Sequence, residues 1–385
     1  MTYEEQLAGL EEAGALRELR DVEPLSGAYC RYSNQKLFNL TSNDYLGLAN
    51  DGWLRQFFYH QQEEGGRFHF GASSSRLLTG NTTLYDEVEY LLKSNYQAEA
   101  ALFFNSGYHA NMGILPALAD KQDLLLSDKL CHASLIDGIR LSNAEHVRYR
   151  HLDYEQLEAI LAKRRHLYQR VFIVTESVFS MDGDMADLQQ LAAIKERYDC
   201  TLYVDEAHAV GVLGDKGLGL CEVQQVSHRI DIIVGTLGKA YASVGAFAVV
   251  SSVIKRLLVN KSRTLIYTTA LPPINMAWTK FIIERMAGFN EQRKRLKSLS
   301  VFMREALLQK GYPVHQSHIM PVLLGANKVA VQLAEHLQKE GYLVFPIRPP
   351  TVPLNTARLR ISLTSTMEQA DLESFLQHIP YNQNQ

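Results

Sequence analysis

The sequence predicts an α/β protein: a large domain on a mostly parallel sheet covered by helices, then a smaller α+β domain. Three observations carry this. Short apolar runs rich in β-branched residues alternate with amphipathic segments between residues 101 and 251. Strands that alternate with helices pair in parallel and are covered on both faces. Polar or glycine-containing turns recur just beyond these runs, where open α/β sheets bind their ligands. After Leu271-Pro272-Pro273 the pattern changes to a long helical stretch, two short strand candidates and a last helix.

Residues 1–44 read as a helical N-terminal segment, because Leu7, Leu10, Leu16 and Leu19 recur at helical spacing among Glu4, Glu5, Glu11 and Glu12. The large domain is expected over 45–275, with strands at 101–105, 124–127, 146–149, 170–176, 201–205, 230–235 and 246–251. Helices are expected at 108–119, 154–165 and 187–198. A long helix over 274–310 bridges to a C-terminal domain, 276–385, whose strands fall at 344–347 and 358–363.

A chain of 385 residues is long enough for two cores, and its formal charge of -3 offers no general attraction to nucleic acid. The N-terminus lacks the basic start and apolar run of a signal peptide. The uncharged run 240–254 is too short and too rich in small residues to cross a membrane. Cys30, Cys131, Cys200 and Cys221 form no close pair, so neither a disulfide framework nor a metal site is expected. A reducing cytoplasm is the expected compartment.

Lys239 is the most informative residue. It follows an apolar run that ends in Gly235-Thr236-Leu237-Gly238. A lysine on such a turn, aimed into a pocket, can lose its proton and join an aldehyde. A phosphate-binding P-loop is excluded, because Ile233 stands where its first glycine belongs and Ala240 follows the lysine instead of Ser or Thr. Asp205-Glu206-Ala207-His208 follows the strand 201–205. Asp205 is either a helix cap or a buried carboxylate that requires a positive partner. Asn105-Ser106-Gly107-Tyr108 opens a helix whose N-terminus favours a phosphate, or is an ordinary strand-to-helix turn. His132 is a structural histidine or a ring that stacks on a planar ligand. Glu176-Ser177-Val178-Phe179-Ser180-Met181-Asp182-Gly183-Asp184 adds another polar loop after a strand. Arg358 and Arg360 share one strand face, as solvated edge residues or with one as a bidentate clamp on a carboxylate.

Together these runs resemble the α-oxoamine synthase family of pyridoxal-phosphate enzymes. The resemblance spans nearly the whole chain. It begins at Thr41-Ser42-Asn43-Asp44-Tyr45-Leu46-Gly47-Leu48 and passes through Ser75-Arg76-Leu77-Leu78-Thr79-Gly80-Asn81, His132-Ala133-Ser134-Leu135-Ile136-Asp137-Gly138 and Ser177–Asp184. It ends with Asp205–His208, Gly235–Lys239, Thr269-Ala270-Leu271-Pro272-Pro273 and the Arg348–Arg360 segment. Eight ordered matches are specific where any one alone is not.

The resemblance implies the aspartate-aminotransferase-like fold, fold type I, and a homodimer. Lys239 would carry the cofactor, Asp205 would pair with its ring nitrogen, His208 would bond its phenolic oxygen, and His132 would stack on its face. Gly107, Tyr108 and Thr236 would hold the phosphate, with Ser180 nearby and Thr268 or Thr269 reaching the phosphate in the partner subunit. Arg360 would clamp the amino-acid carboxylate, and Arg20 and Thr351 would contact substrate. The run Ile347-Arg348-Pro349-Pro350-Thr351-Val352-Pro353 is most similar to members that join L-alanine to a pimeloyl thioester, on coenzyme A or acyl-carrier protein, in biotin synthesis. Members that use glycine or serine, or another acyl chain, are the nearest alternative; an aminotransferase or a non-catalytic binding protein is more distant. The chain departs from the family pattern at Ser73, Ser74 and Ala242, where glycines are usual, and at Tyr85, where histidine is usual.

Overall fold

The computed structural model describes residues 1–63 and 69–382. The chain divides into two compact units. The larger comprises Gly52–Phe179 and Met185–Asn290, the smaller Met1–Asp51, Ser180–Asp184 and Glu291–Gln385.

The larger unit is built on seven strands: β1 (Ala100–Phe104), β2 (Leu124–Asp128), β3 (Glu145–Tyr149), β4 (Val171–Glu176), β5 (Thr201–Asp205), β6 (Ile232–Thr236) and β7 (Ala246–Val250). They lie in the order β1-β7-β6-β5-β4-β2-β3. β7 runs antiparallel to both neighbours, and the other adjacent pairs are parallel. The expected strands are these, with ends shifted by two residues or fewer. Every residue of β1, β2, β4 and β7 is buried, as a sheet covered on both faces requires. The carboxyl ends of β1 to β6 therefore share one edge.

The expected helices form as Gly107–Leu118, Tyr154–Arg164 and Leu188–Tyr198. Asp153 and Asp187 cap the last two by accepting the Gln156 and Gln190 amides, which stabilises each by about 1 kcal/mol. The long helix over 274–310 is two helices, Pro273–Arg285 and Asn290–Gln309, parted by a tight turn at Met286–Gly288. Gly288 costs roughly 1 kcal/mol in a helix interior, and the chain passes from one unit to the other just after it, so the boundaries expected at 44/45 and 275/276 move to 51/52 and 290/291.

In the smaller unit the expected helical segment 1–44 is corrected. The helix Tyr3–Glu12 ends before Gly14, whose φ of +59° is left-handed, and leaves Leu16 and Leu19 outside. Strands Val22–Pro24, Tyr29–Tyr32 and Gln35–Asn39 follow and form a sheet completed by Tyr342–Leu343. Ser33 and Asn34, at φ +48° and +62°, make the two-residue turn between Tyr32 and Gln35. A second sheet has Ala357–Ser362 at its centre, between Ile319–Gly325 and Pro346–Ile347. The strand Ile319–Gly325 was not expected, because Pro321 interrupts its apolar run; the helix Asn327–Lys339 after it was not expected either. Of the expected strand 344–347 only Pro346–Ile347 forms, and Tyr342–Leu343, just before it, is a strand of the other sheet. The segment Ser180–Asp184 lies close against Ile319: a Cβ on Gly183, whose φ is +72°, would fall 2.0 Å from the Ile319 carbonyl oxygen.

Candidate active site

The edge formed by the carboxyl ends of β1 to β6 gathers most of the titratable residues singled out in the sequence. Lys239 lies three residues beyond β6, and its Nζ is 2.8 Å from His208 Nε2. His208 lies three residues beyond Asp205, the last residue of β5. Asp205 is buried; its Oδ1 accepts the Ala207 amide at 2.9 Å and its Oδ2 accepts Asn111 Nδ2 at 2.7 Å. No helix follows Asp205, so it closes a turn rather than capping a helix, and it is a buried acceptor. A carboxylate offers about four acceptor positions, so two remain for a protonated ring nitrogen.

His132 caps the helix Ala133–Leu141, with its Nδ1 accepting the Ser134 amide at 3.2 Å. The surrounding protein desolvates the ring and holds its pKa below the usual imidazole value; Asp205 and Asp137 oppose this, and Lys239 reinforces it. The His132 amide donates to Glu176 Oε1 at 2.5 Å. Glu176 ends β4 in register with Asp205 on β5. Burial first, then the Asp205 charge, push its carboxyl up to about 8, against the pull of Lys239. Sequence reasoning gave Glu176 no role. Its signal was slight: an acid that closes a strand otherwise apolar but for Thr175.

Beyond β1, the helix Gly107–Leu118 presents Gly107 and Tyr108 in its first turn, after Ser106 caps it by accepting the His109 amide. Its N-terminus is a ready anion site. A Cβ on Gly107 would lie 3.6 Å from the Thr236 side chain, so this turn lies beside the end of β6. Asn105 Nδ2 donates to Thr268 Oγ1 at 3.2 Å and to the Thr269 carbonyl at 2.7 Å, which brings that turn to the end of β1. The edge thus supplies an amine, a buried acceptor for a ring nitrogen, a second imidazole and a phosphate cradle. These are the groups that pyridoxal phosphate needs. Among the described residues no group of His, Cys, Asp and Glu is arranged to hold a metal, and no helix is long and apolar enough to cross a membrane.

Ser180, Arg360, Arg20 and Thr351 belong to the smaller unit. Arg358 and Arg360 are buried on the central strand of its three-stranded sheet, which corrects the edge-strand alternative. Arg358 bonds Asp182. Arg360 donates from Nε to the Ser180 carbonyl at 2.5 Å, from Nη1 to Asn43 and Ser362, and from Nη2 to Tyr45. Four of its five N–H groups are engaged, so a bidentate clamp requires Asn43, Ser362 or Tyr45 to yield. Arg20 stacks on Phe345 at 4.2 Å, and Arg17 donates to Thr351 Oγ1 at 2.7 Å. With Arg348 they line a cavity of about 290 Å³.

The departures from the family pattern have local explanations. Ser73 and Ala242 adopt left-handed φ of +53° and +47°, the conformation that favours glycine. Tyr85 is fully buried, accepts the Leu271 amide at 2.8 Å and carries the Arg76 guanidinium 4.1 Å above its ring.

Comparison with known proteins points to the same cofactor. The family model described as "Aminotransferase class I and II" matches residues 35–379. A Neisseria meningitidis protein named "Putative 8-amino-7-oxononanoate synthase" is 51% identical over 371 residues, covering 95% of this chain and 97% of its own. A serine palmitoyltransferase variant from S. paucimobilis, with a bound PLP–myriocin aldimine, superimposes with a TM-score of 0.89 at 29% identity, over 97% of this chain and 94% of its own. The 8-amino-7-oxononanoate synthase of Francisella tularensis gives a TM-score of 0.76 at 31% identity, over 89% and 96%. The chain belongs to the aminotransferase class I and II family and, within it, to the α-oxoamine synthases: it is a pyridoxal-phosphate-dependent acyltransferase of fold type I.

Proposed function

We propose that the protein condenses L-alanine with a pimeloyl thioester, on coenzyme A or acyl-carrier protein, and releases thiol and carbon dioxide to give 8-amino-7-oxononanoate for biotin synthesis. The names of its relatives support the reaction class. The observation that carries the acyl donor is the cavity lined by Arg17, Arg20 and Arg348 with Phe345 and Thr351. Burial, then repulsion from Arg20 and Arg17, hold the Arg348 guanidinium below its usual range. Glu18 also lines the cavity, but three guanidiniums against one carboxylate leave its lining net positive, which favours an anion, and a pimeloyl chain ends in a carboxylate.

Bound pyridoxal phosphate supplies an aldehyde and an electron sink for the carbanion formed at the amino acid's α-carbon. Lys239 would bind it, and its Nζ would take the α-proton. Asp205 would face the ring nitrogen and His208 the phenolic oxygen. Gly107, Tyr108 and Thr236 would take the phosphate, with Ser180 nearby and Thr268 serving the partner subunit's site. Arg360 would hold the amino-acid carboxylate through its remaining Nη2 hydrogen, and His132 would cover the ring. A cytoplasmic homodimer is part of this reading. Phe70, Leu78 and Tyr267, exposed apolar residues of the larger unit, are suited to an interface between copies.

The test is thiol and carbon dioxide release with alanine, glycine and serine across pimeloyl, heptanoyl and longer acyl thioesters on both carriers. Alanine with the pimeloyl thioester should give the highest kcat/KM. Equal or better turnover of an uncharged chain, or a preference for glycine or serine, overturns the assignment in favour of another α-oxoamine synthase.

A further inference from the structure

Hydrogen bonds connect Asp205 to His132, and their directions are fixed by chemistry. The Asp205 carboxylate only accepts, so the Asn111 atom 2.7 Å from its Oδ2 is the amide nitrogen. The Tyr203 hydroxyl donates to Asn111 Oδ1 at 2.6 Å, which agrees with that orientation. The second Nδ2 hydrogen of Asn111 goes to Ser134 Oγ at 2.9 Å. Ser134 therefore accepts from Asn111 and keeps its own proton to give to His132 Nδ1, 2.8 Å away. The Ser134 amide donates to the same Nδ1. A nitrogen that faces two donors carries a lone pair, so the neutral ring holds its proton on Nε2.

The relay is built into the packing. Asn111, Ser134 and Tyr203 are each at most 1% exposed. The helices Gly107–Leu118 and Ala133–Leu141 meet closely at Gly138, where a Cβ would fall 2.3 Å from the Asn111 carbonyl oxygen. That approach brings Ser134 to Asn111. On the other side, the Glu176 carboxyl holds the His132 amide. Protonating His132 would turn Nδ1–H against both Ser134 donors, in keeping with the depressed pKa of the ring.

We propose that Asn111 and Ser134 are positioning residues that hold His132 as the Nε2–H tautomer, a neutral hydrogen-bond donor rather than a base. Its use rests on the condensation proposed above: Nε2–H donates to the thioester carbonyl oxygen as negative charge develops there. No bond to hydrogen is broken in this role.

Two measurements separate the relay from the reaction. In cofactor-free protein labelled with ¹⁵N-histidine, with His132 assigned through His132→Asn, the wild type should show a protonated Nε2 and an unprotonated Nδ1. Ser134→Ala should shift this toward a mixed tautomer, and Ser134→Thr should restore it. A wild-type Nδ1–H ring, or a Ser134→Ala ring unchanged from wild type, overturns the relay. In the loaded enzyme, Ser134→Ala should lower kcat roughly 10- to 100-fold with little change in the KM for the amino acid, and Ser134→Thr should recover it. Wild-type kcat in Ser134→Ala overturns the donor role. An enzyme that turns over no acyl thioester defeats the condensation reading instead, and the tautomer is still decided by the spectra.

Discussion

His208 Nε2 lies 2.8 Å from Lys239 Nζ, so the lysine amine is held by an imidazole that is fixed beyond the neighbouring strand. This contact ties the end of β6 to the turn after β5 and sets where the amine can act. Lys239→Ala should fold normally but should no longer be fixed to its cofactor by borohydride, and its turnover should fall roughly a thousandfold or more. Absorbance, peptide mapping after reduction and steady-state kinetics check this. Unchanged turnover refutes the assignment of Lys239.

Glu176 makes stability depend on pH. Its carboxyl, near 4.5 when unperturbed, is raised to about 8 by burial and by Asp205. Between those values the native protein keeps a proton that the unfolded chain has lost. Stability from this group is thus full below about 4.5, falls as pH rises and levels off above about 8. Glu176→Gln keeps an acceptor for the His132 amide and cannot ionise. Its stability relative to wild type should rise from pH 5 to pH 8 and then become constant. Denaturant titrations across that range check the sign; a difference that is flat or falls with pH contradicts it.

The inner strands of the large sheet were legible because strands buried on both faces are apolar along most of their length, as Leu124-Leu125-Leu126 and Ile232-Ile233-Val234 are; the end strand β3, Glu145–Tyr149, is partly exposed and carries no such run. Asp205 and Lys239 were legible because each stands at or just beyond the end of such a run, and His132 because it lies in the loop four residues beyond β2. Asn111 and Ser134 were not, since a polar residue within a helix reads as a surface position until its neighbour in space is known. The hairpin at Ser33-Asn34 lacks the glycine that usually marks such a turn. The pairing of Phe38 with Tyr342 joins residues far apart in the chain, so residues 1–44 could not be assigned to the same unit as the C-terminus.

Ala242 stores strain. Its φ of +47° costs an L-residue about 1–2 kcal/mol. Glycine removes that cost but adds freedom to the unfolded chain worth about 0.4–1 kcal/mol. Ala242→Gly should therefore stabilise the protein by roughly 0.5–1 kcal/mol. The Trp278 indole, which donates to the Ala242 carbonyl at 2.8 Å, needs no side chain at this position and should stay in place. Thermal and denaturant unfolding read the gain, and a loss of stability shows that the alanine is not strained.

Arg20 offers the sharpest test of the acyl donor. Its guanidinium is held over Phe345 at 4.2 Å, in the cavity it shares with Arg17 and Arg348. A charge-assisted hydrogen bond to a carboxylate is worth about 1.5–3 kcal/mol. Arg20→Ala should thus raise the KM for a pimeloyl thioester roughly tenfold or more, while the KM for the heptanoyl thioester, which lacks the terminal carboxylate, stays near its wild-type value. Arg20→Lys should recover part of the loss, since it restores the charge without the planar stacking on Phe345. Equal effects on both donors would assign Arg20 to packing of the smaller unit and remove the carboxylate from this cavity.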